Sequence, residues 1–278
     1  MSEILQDLST PALGTAIEAN VFEFYALFRH WPQAEIHDEP EMLWSITELP
    51  FSMFNAILRA QLLPGRVDAA IEAAIARGRS RNVPMMWWTG PATQPADLGA
   101  SLQAHGWVHD GDSPGMAVDL WSVRADRPAV PGLVIEPVIG TEPLRTWCQT
   151  YADGFGMPDF VGAAFSDFFF CLGPEEHSWV RHYMGWLDGE PVATSTLLLG
   201  AGVAGIYNVA TLPHARRRGI GSAMTLEPLQ QAREMGVRVG VLEAAEMGIG
   251  VYRRLGFQEC CRLGHYVWTG EQAGGGVG

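Results

Sequence analysis

The sequence predicts an α/β (α+β) protein of two domains, each with a mixed, mostly antiparallel sheet flanked by helices. Three strand-like runs joined by short turns, followed by a glycine-containing helix start, indicate such a sheet in the second half. A helix, turn and strand pattern in the first half is similar to part of the second, which indicates a divergent internal repeat. The length of 278 residues is sufficient for two hydrophobic cores.

Composition and charge exclude several classes of protein. Hydrophobic residues make up 47% of the chain and charged residues 18%, as is typical of globular proteins. A formal net charge of −13 argues against a general nucleic-acid binder, because phosphate backbones require a basic surface. The chain contains no lysine, which excludes a Walker-type phosphate loop and a lysine Schiff base.

We expect a cytoplasmic protein without membrane contact, because the sequence shows no secretory signal, no membrane span and no paired cysteine motif. No apolar run has the length of a membrane span, and Met1 to Thr10 lacks the basic start and apolar core of a secretory signal. The four cysteines show no C-x-x-C spacing and are expected to be buried thiols rather than a disulfide or metal site. They are Cys148, Cys171, Cys260 and Cys261.

The first half is expected to contain helices and strands whose apolar residues recur at matching intervals. Val21, Phe24 and Phe28 show helical spacing before Pro32. Gly106 follows a helical run in the position of a C-terminal cap. The expected helices are 11–31, a short segment holding Phe54, Ile57 and Leu58, 67–77 and 98–105, and the expected strands are 41–49 and 83–88.

The second half begins after a proline-containing linker at 126–132. Asp188-Gly189 and the segment 200–202 predict tight turns between antiparallel strands. Pro228 removes a backbone donor from an expected helix, so we expect a kink or slip there. The expected strands are 133–138, 177–187, 191–199, 203–211, 237–243 and two pieces within 257–268, the expected helices are 142–151, 160–171, 219–235 and 248–255, and a glycine-rich tail at 271–278 is expected to be disordered.

The segment from Ile206 to Ser222 is the strongest functional signal in the chain. Its first half is strand-like, and its second half has three consecutive arginines and two closely spaced glycines at a helix start. Free backbone N–H groups and the positive end of the helix dipole at such a start bind phosphate. Gly219 and Gly221 carry no Cβ, so that phosphate oxygens can approach the main chain closely.

The pattern Arg216-x-x-Gly219-x-Gly221 resembles the acyl-CoA pyrophosphate loop of the GNAT (Gcn5-related N-acetyltransferase) superfamily. The later segment from Tyr252 to Phe257, Tyr-Arg-Arg-Leu-Gly-Phe, is similar to the closing helix and turn of that family. The resemblance covers about residues 133–269. It implies two GNAT-like domains: a degenerate copy without a cofactor loop at 1–125, where Leu102 stands in the place of Tyr252, and an acetyl-CoA-binding copy at 133–270.

The resemblance also implies an activity and a set of site residues. The activity is transfer of an acetyl or other acyl group from acetyl-CoA to the primary amine of a small molecule, in a ternary complex and without a metal. Tyr252 is the expected general acid, and the main-chain N–H of Val209 is the candidate for polarising the thioester carbonyl. The residues expected to bind the cofactor are Val209, Ala210, Thr211, Arg216, Arg217, Arg218, Gly219, Ile220, Gly221 and Ser222.

The general base stays open at this point. Many GNAT enzymes place a glutamate on the strand before the phosphate loop, where this chain has Tyr207 and Asn208. Glu243, near the end of the next strand, is the nearest carboxylate and is the expected base, acting through a water, although a buried hydrogen-bonding role is an alternative. His182 and His214 are further alternatives.

Two rival functions remain to be weighed. Gly219-x-Gly221 followed by Glu243 imitates a dinucleotide-binding fingerprint, but Met224 occupies the third glycine position and the preceding strands form hairpins. The other rival is a non-catalytic protein that binds or senses acyl-CoA. The expected partner is a small amine, with no nucleic acid and no membrane, and the sequence leaves the oligomeric state open, a homodimer included.

Overall fold

A computed structural model describes residues 3–123, 130–173 and 179–270, so most of the predicted linker and the whole tail 271–278 lie outside the described residues. The α-helices in these ranges are α1 Thr10–Ala26, α2 Val67–Arg81, α3 Leu98–Ala104, α4 Thr141–Phe155, α5 Asp159–Leu172, α6 Ile220–Glu234 and α7 Ile249–Leu255. The strands are β1 Glu35–Glu39, β2 Met42–Ile46, β3 Ala56–Ala60, β4 Met85–Thr89, β5 Val108–Asp119, β6 Leu133–Pro137, β7 Val180–Leu187, β8 Glu190–Gly200, β9 Val203–Thr211, β10 Val239–Glu243 and β11 Gln258–Trp268.

The chain forms two compact units, and their boundaries differ from the expected ones. The first unit combines Met1–Trp31 with Pro114–Cys260, and the second combines Pro32–Ser113 with Cys261–Gly278. Helix α1 therefore belongs to the unit that carries the phosphate loop, although we expected it in a domain spanning 1–125. The physical reason is that α1 packs on β8 and β9, far from it in sequence.

The sheet of the first unit has the strand order β5-β10-β9-β8-β7-β6. Its pairs are antiparallel except for β9 with β10, which are parallel. The hairpin turns after β7 and β8 are those predicted. Helix α4 packs on one face, where Gly154 approaches Ala210, and α6 packs on the other, where Met224 approaches Gly185.

The second unit has the strand order β1-β2-β3-β4-β11, in which β3 and β4 are parallel. Its core includes the fully buried Ile71, Trp87, Leu98 and Leu102. The short helix expected around Ile57 is wrong, because those residues form strand β3 between two neighbouring strands.

Several other local expectations are corrected. Strands β1 and β5 were not predicted, and 258–268 is one long strand rather than two pieces. Helix α6 continues through Pro228. Cys148 is buried, whereas Cys171 is exposed, and all four cysteines are free. No α-helix in the described ranges has both the length and the apolar character that a membrane crossing requires.

Candidate active site

A gap opens in the sheet of the first unit between β9 and β10. Their parallel pairing is confined to two positions and ends at Gly205 and Val241. Beyond it, β9 continues along β8 to Thr211, while β10 continues along β5 to Glu243. The two strands therefore diverge toward their carboxyl ends, and main-chain groups on the inner edge of β9 are left without a strand partner among the described residues.

A β-bulge lies in the diverging part of β9. Between the register pairs Thr196–Tyr207 and Thr194–Ala210, β9 contains one residue more than β8. Asn208 occupies the bulge with a positive φ of 53°. A bulge turns main-chain groups out of the hydrogen-bonding ladder, and it does so here where the strands separate.

A cleft of about 970 Å³ lies at the open end of this gap. It contains most of the residues that the sequence assigned to the cofactor, together with Tyr252. Those lining it are Val209, Ala210, Thr211, Arg216, Arg217, Gly219, Ile220, Gly221, Ser222 and Tyr252. Two expected residues, Arg218 and Glu243, are not part of the lining.

The start of α6 is open at the position where we expect an anion to bind. Gly219 is the N-cap residue with φ 86°, and no side chain in the described residues caps the helix. Ala223 N–H donates to the Gly219 carbonyl, so the N–H groups of 220–222 precede the intrahelical hydrogen-bond series. At Gly221 an added Cβ would meet only Thr211 Oγ1, at 3.9 Å, which shows how open this position is.

The three consecutive arginines differ in their surroundings. Arg216 Nε donates to the Thr211 carbonyl at 3.0 Å, and its Nη2 donates to the Gly154 carbonyl at 2.8 Å. Its guanidinium therefore ties the end of β9 to α4, a structural role that the sequence did not reveal. Arg217 lines the cleft, and Arg254, which we did not predict, lines it from α7.

Tyr252 lies on α7 with its ring held on two sides. A Cβ at Gly248 would come within 2.8 Å of the ring, and Phe257 packs edge-on at a centroid distance of 5.9 Å. Burial raises the pKa of Tyr252 to about 12, so the phenol is protonated at neutral pH. A protonated hydroxyl at the cleft wall can donate a hydrogen bond or a proton.

Glu243 lies in a different environment, beside two tyrosines. Burial, and next the negative charge of Glu243, raise the pKa values of Tyr25 on α1 and Tyr207 on β9. Tyr207 Oη donates to Asn20 Oδ1 at 2.7 Å, and its ring stacks on Phe24 at 4.2 Å. Glu243 thus acts on Tyr25 and Tyr207 and does not belong to the cleft lining, which includes Tyr252.

The two histidines considered as alternative bases do not line the cleft. His182 packs against Trp147 and Phe169 at centroid distances of 4.5 and 4.7 Å. Burial lowers its pKa to about 3, so His182 is neutral near pH 7, and its Nδ1 lies 2.8 Å from Thr196 Oγ1. His214 is exposed in the turn before the arginines.

Some lining residues escaped the sequence analysis. Phe155 and Met247 are exposed hydrophobic side chains on the cleft wall. Gly248 and Tyr252 stand four residues apart, and this helical spacing was a usable signal. Phe155 comes from the end of α4, more than 50 residues before the loop in sequence, and nothing local indicated its position.

Comparison with known proteins agrees with this geometry. Residues 144–257 match the model of the acetyltransferase (GNAT) family. This part of the chain belongs to the GNAT family. No curated protein sequence matches the chain significantly. No cluster of three or more His, Cys, Asp or Glu suited to a metal ion occurs in the described part of this chain.

Solved structures share the fold over nearly the whole length. A GCN5-related N-acetyltransferase from Kribbella flavida has a TM-score of 0.71 at 20% identity, covering 94% of this chain and 97% of that one. One from Sphaerobacter thermophilus has a TM-score of 0.60 at 15% identity, covering 96% and 94%. A tandem GNAT protein from the clavulanic acid biosynthesis pathway also has 0.60 at 15%, covering 96% of both. At these identities the likeness concerns the fold.

Proposed function

We propose that the protein is an N-acetyltransferase that moves an acetyl, or another acyl, group from acetyl-CoA to the primary amine of a small molecule in a ternary complex. The observation that carries the proposal is the divergence of β9 from β10 beside a cleft that ends on the open N-terminus of α6. Acetyl-CoA can place its thioester in the gap between the strands while its diphosphate binds at the N-terminus of α6.

The donor is held mainly by main-chain groups. The N–H groups of 220–222 face the open space at Gly221 and suit the diphosphate, with Arg217 and Arg254 adding positive charge. The pantetheine arm runs along the inner edge of β9 near Thr211. The Val209 N–H polarises the thioester carbonyl, which prepares it for attack.

The chemical step requires one proton acceptor and one proton donor. The amine nitrogen attacks the carbonyl carbon and loses a proton to Glu243 through a water, and the tetrahedral intermediate collapses as the C–S bond breaks. Tyr252 donates its hydroxyl proton to the departing sulfur. The products are an amide and CoA, and one proton then passes through water from the protonated Glu243 to the Tyr252 phenolate, which restores both groups.

A second candidate function is acyl-CoA binding without catalysis. It is favoured by one observation, namely that the residues lining the cleft include no carboxylate. Tyr252 discriminates between the candidates, because a sensor does not require an acid beside the sulfur. Transfer to any amine would exclude a sensor, and CoA release is measured as free thiol over a panel of amines, polyamines, amino acids and aminoglycosides.

Donor binding is tested separately from turnover. Gly221→Leu fills the anion seat at a position that has space for it, so acetyl-CoA affinity measured by titration calorimetry should fall at least about tenfold. Gly65→Leu is the matched control, because an added Cβ there meets nothing within 4 Å and Gly65 does not line the cleft. Equal affinity of both variants would contradict the proposed donor site.

A further inference from the structure

The β9 bulge is held by a chain of side-chain hydrogen bonds that neither the proposed donor site nor the proton transfers use. Thr194 Oγ1 donates to the Asn208 carbonyl at 2.8 Å. Asn208 Nδ2 donates to Thr196 Oγ1 at 3.1 Å, and the same oxygen lies 2.8 Å from His182 Nδ1. Both threonines are fully buried, so these contacts occur away from solvent.

The direction of each hydrogen bond follows from chemistry. The Asn208 Nδ2 group can only donate, so Thr196 Oγ1 accepts from it. The buried Thr196 hydroxyl proton then needs an acceptor, and His182 Nδ1 is within reach. In this arrangement His182 is neutral with its proton on Nε2, and its lowered pKa is consistent with this state.

The chain acts on a backbone conformation that needs support. Asn208 has a φ of 53°, in the left-handed region that most non-glycine residues avoid and that asparagine adopts more readily than they do. Its carbonyl is held by Thr194 and its side chain by Thr196. Val209, the next residue, lines the cleft, so the orientation of the Asn208–Val209 peptide decides where the Val209 N–H points.

We propose that Thr196 is a positioning residue for acyl transfer, whose hydroxyl, oriented by His182, holds Asn208 and thereby aims the Val209 N–H at the acyl carbonyl. The inference rests on the proposed function for the identity of the donor. It assigns a role to residues of β7 and β8 that do not line the cleft.

The test compares Thr196→Val, which removes the hydroxyl at nearly constant volume, with Thr196→Ser, which keeps it. Thr196→Val should lower kcat about 10- to 100-fold and raise KM for acetyl-CoA by no more than about fivefold, because only the carbonyl contact is lost. Thr196→Ser should retain most of kcat. Thr150→Val is the control, since that buried hydroxyl bonds only its own helix, at Thr146 O.

A binding measurement makes the test independent of turnover. CoA lacks the acyl carbonyl, so Thr196→Val should weaken acetyl-CoA about fivefold relative to CoA while CoA affinity is unchanged. Glycine adopts a positive φ freely and lacks the side-chain amide, so Asn208→Gly should show the same loss of acetyl-CoA affinity relative to CoA affinity. This variant replaces Thr196→Val in the test if Thr196→Val does not fold.

The outcomes separate the two proposals. Unchanged kcat and an unchanged ratio of acetyl-CoA to CoA affinity in Thr196→Val and Asn208→Gly overturn the positioning role. So does a Thr196→Ser variant as impaired as Thr196→Val. If the wild-type protein binds acetyl-CoA but acetylates no amine, only the enzymatic function is refuted. The ratio of acetyl-CoA to CoA affinity still tests whether the Val209 N–H contacts the acyl carbonyl.

Discussion

Tyr252 is the residue on which the proposed proton donation depends, and its surroundings make a clean substitution available. Its hydroxyl has no hydrogen-bond partner within the described chain, so Tyr252→Phe keeps the packing against Gly248 and Phe257. We expect turnover at saturating substrates to fall about 100-fold or more, with unchanged acetyl-CoA affinity and melting temperature. Full turnover in this variant would remove Tyr252 from the mechanism.

At the same scale, His182 makes stability depend on pH. Its folded pKa is about 3, below the ordinary 6.5, so between these values the unfolded chain binds more protons and the unfolding free energy falls as pH falls. His182→Asn removes the titration and retains an acceptor for Thr196. From pH 7 to pH 5 the wild type should lose on the order of 1 kcal/mol more than the variant, allowing for partial solvent exposure of the side chain. Urea denaturation at both values measures this, and equal losses would contradict it.

At the scale of elements, the turn from β9 into α6 combines two glycines with opposite requirements. Gly219 has φ 86°, which is unfavourable for alanine, whereas Gly221 lies in the first turn of α6 with room for a Cβ. Gly219→Ala should destabilise the fold by about 1 kcal/mol, and Gly221→Ala should stabilise it by about 0.5 kcal/mol. Both should weaken acetyl-CoA binding. Denaturation curves of the two variants measure these changes, and equal shifts in stability would contradict the opposite requirements of the two glycines.

Helix α1 is a second element with a measurable contribution. Asn20 is fully buried, donates to the Gly200 carbonyl at 2.9 Å and accepts from Tyr207 Oη. Asn20→Leu leaves both groups unpaired and should cost about 2–3 kcal/mol of unfolding free energy. Thr15→Leu, on an exposed part of the same helix, is the control and should change stability by less than about 0.5 kcal/mol. Similar losses in the two variants would contradict the docking role of Asn20.

At the scale of the whole molecule, every residue lining the cleft belongs to the first compact unit. A ligand stabilises the structure that binds it, by about 2.7 kcal/mol at 100 times Kd. Acetyl-CoA should therefore slow hydrogen exchange in peptides covering 203–222 and 247–257. Peptides from 67–104 in the second unit serve as the internal reference. Mass spectrometry measures the exchange of both sets of peptides. Equal slowing of exchange in the two sets would contradict a donor site confined to the first unit.

The sequence by itself determined the features that depend on near neighbours. The glycines of the loop, the strand before it and Tyr252 were recognisable because turn chemistry, period-two patterns and helix caps are set by adjacent residues. These signals were sufficient for the fold class, and most of the residues that we expect to bind the cofactor lie at one cleft.

Only the tertiary structure decided the features that depend on residues distant in the chain. Ile57 forms part of a strand because a neighbouring strand pairs with its backbone. Arg216 donates a hydrogen bond to the Gly154 carbonyl of α4. Glu243 lies near tyrosines from α1 and β9. The hydrogen bonds of Thr196 with His182 and Asn208 likewise join β8 to β7 and β9. Local propensity carries no information on which distant groups meet, because such contacts are chosen by the packing of the whole unit.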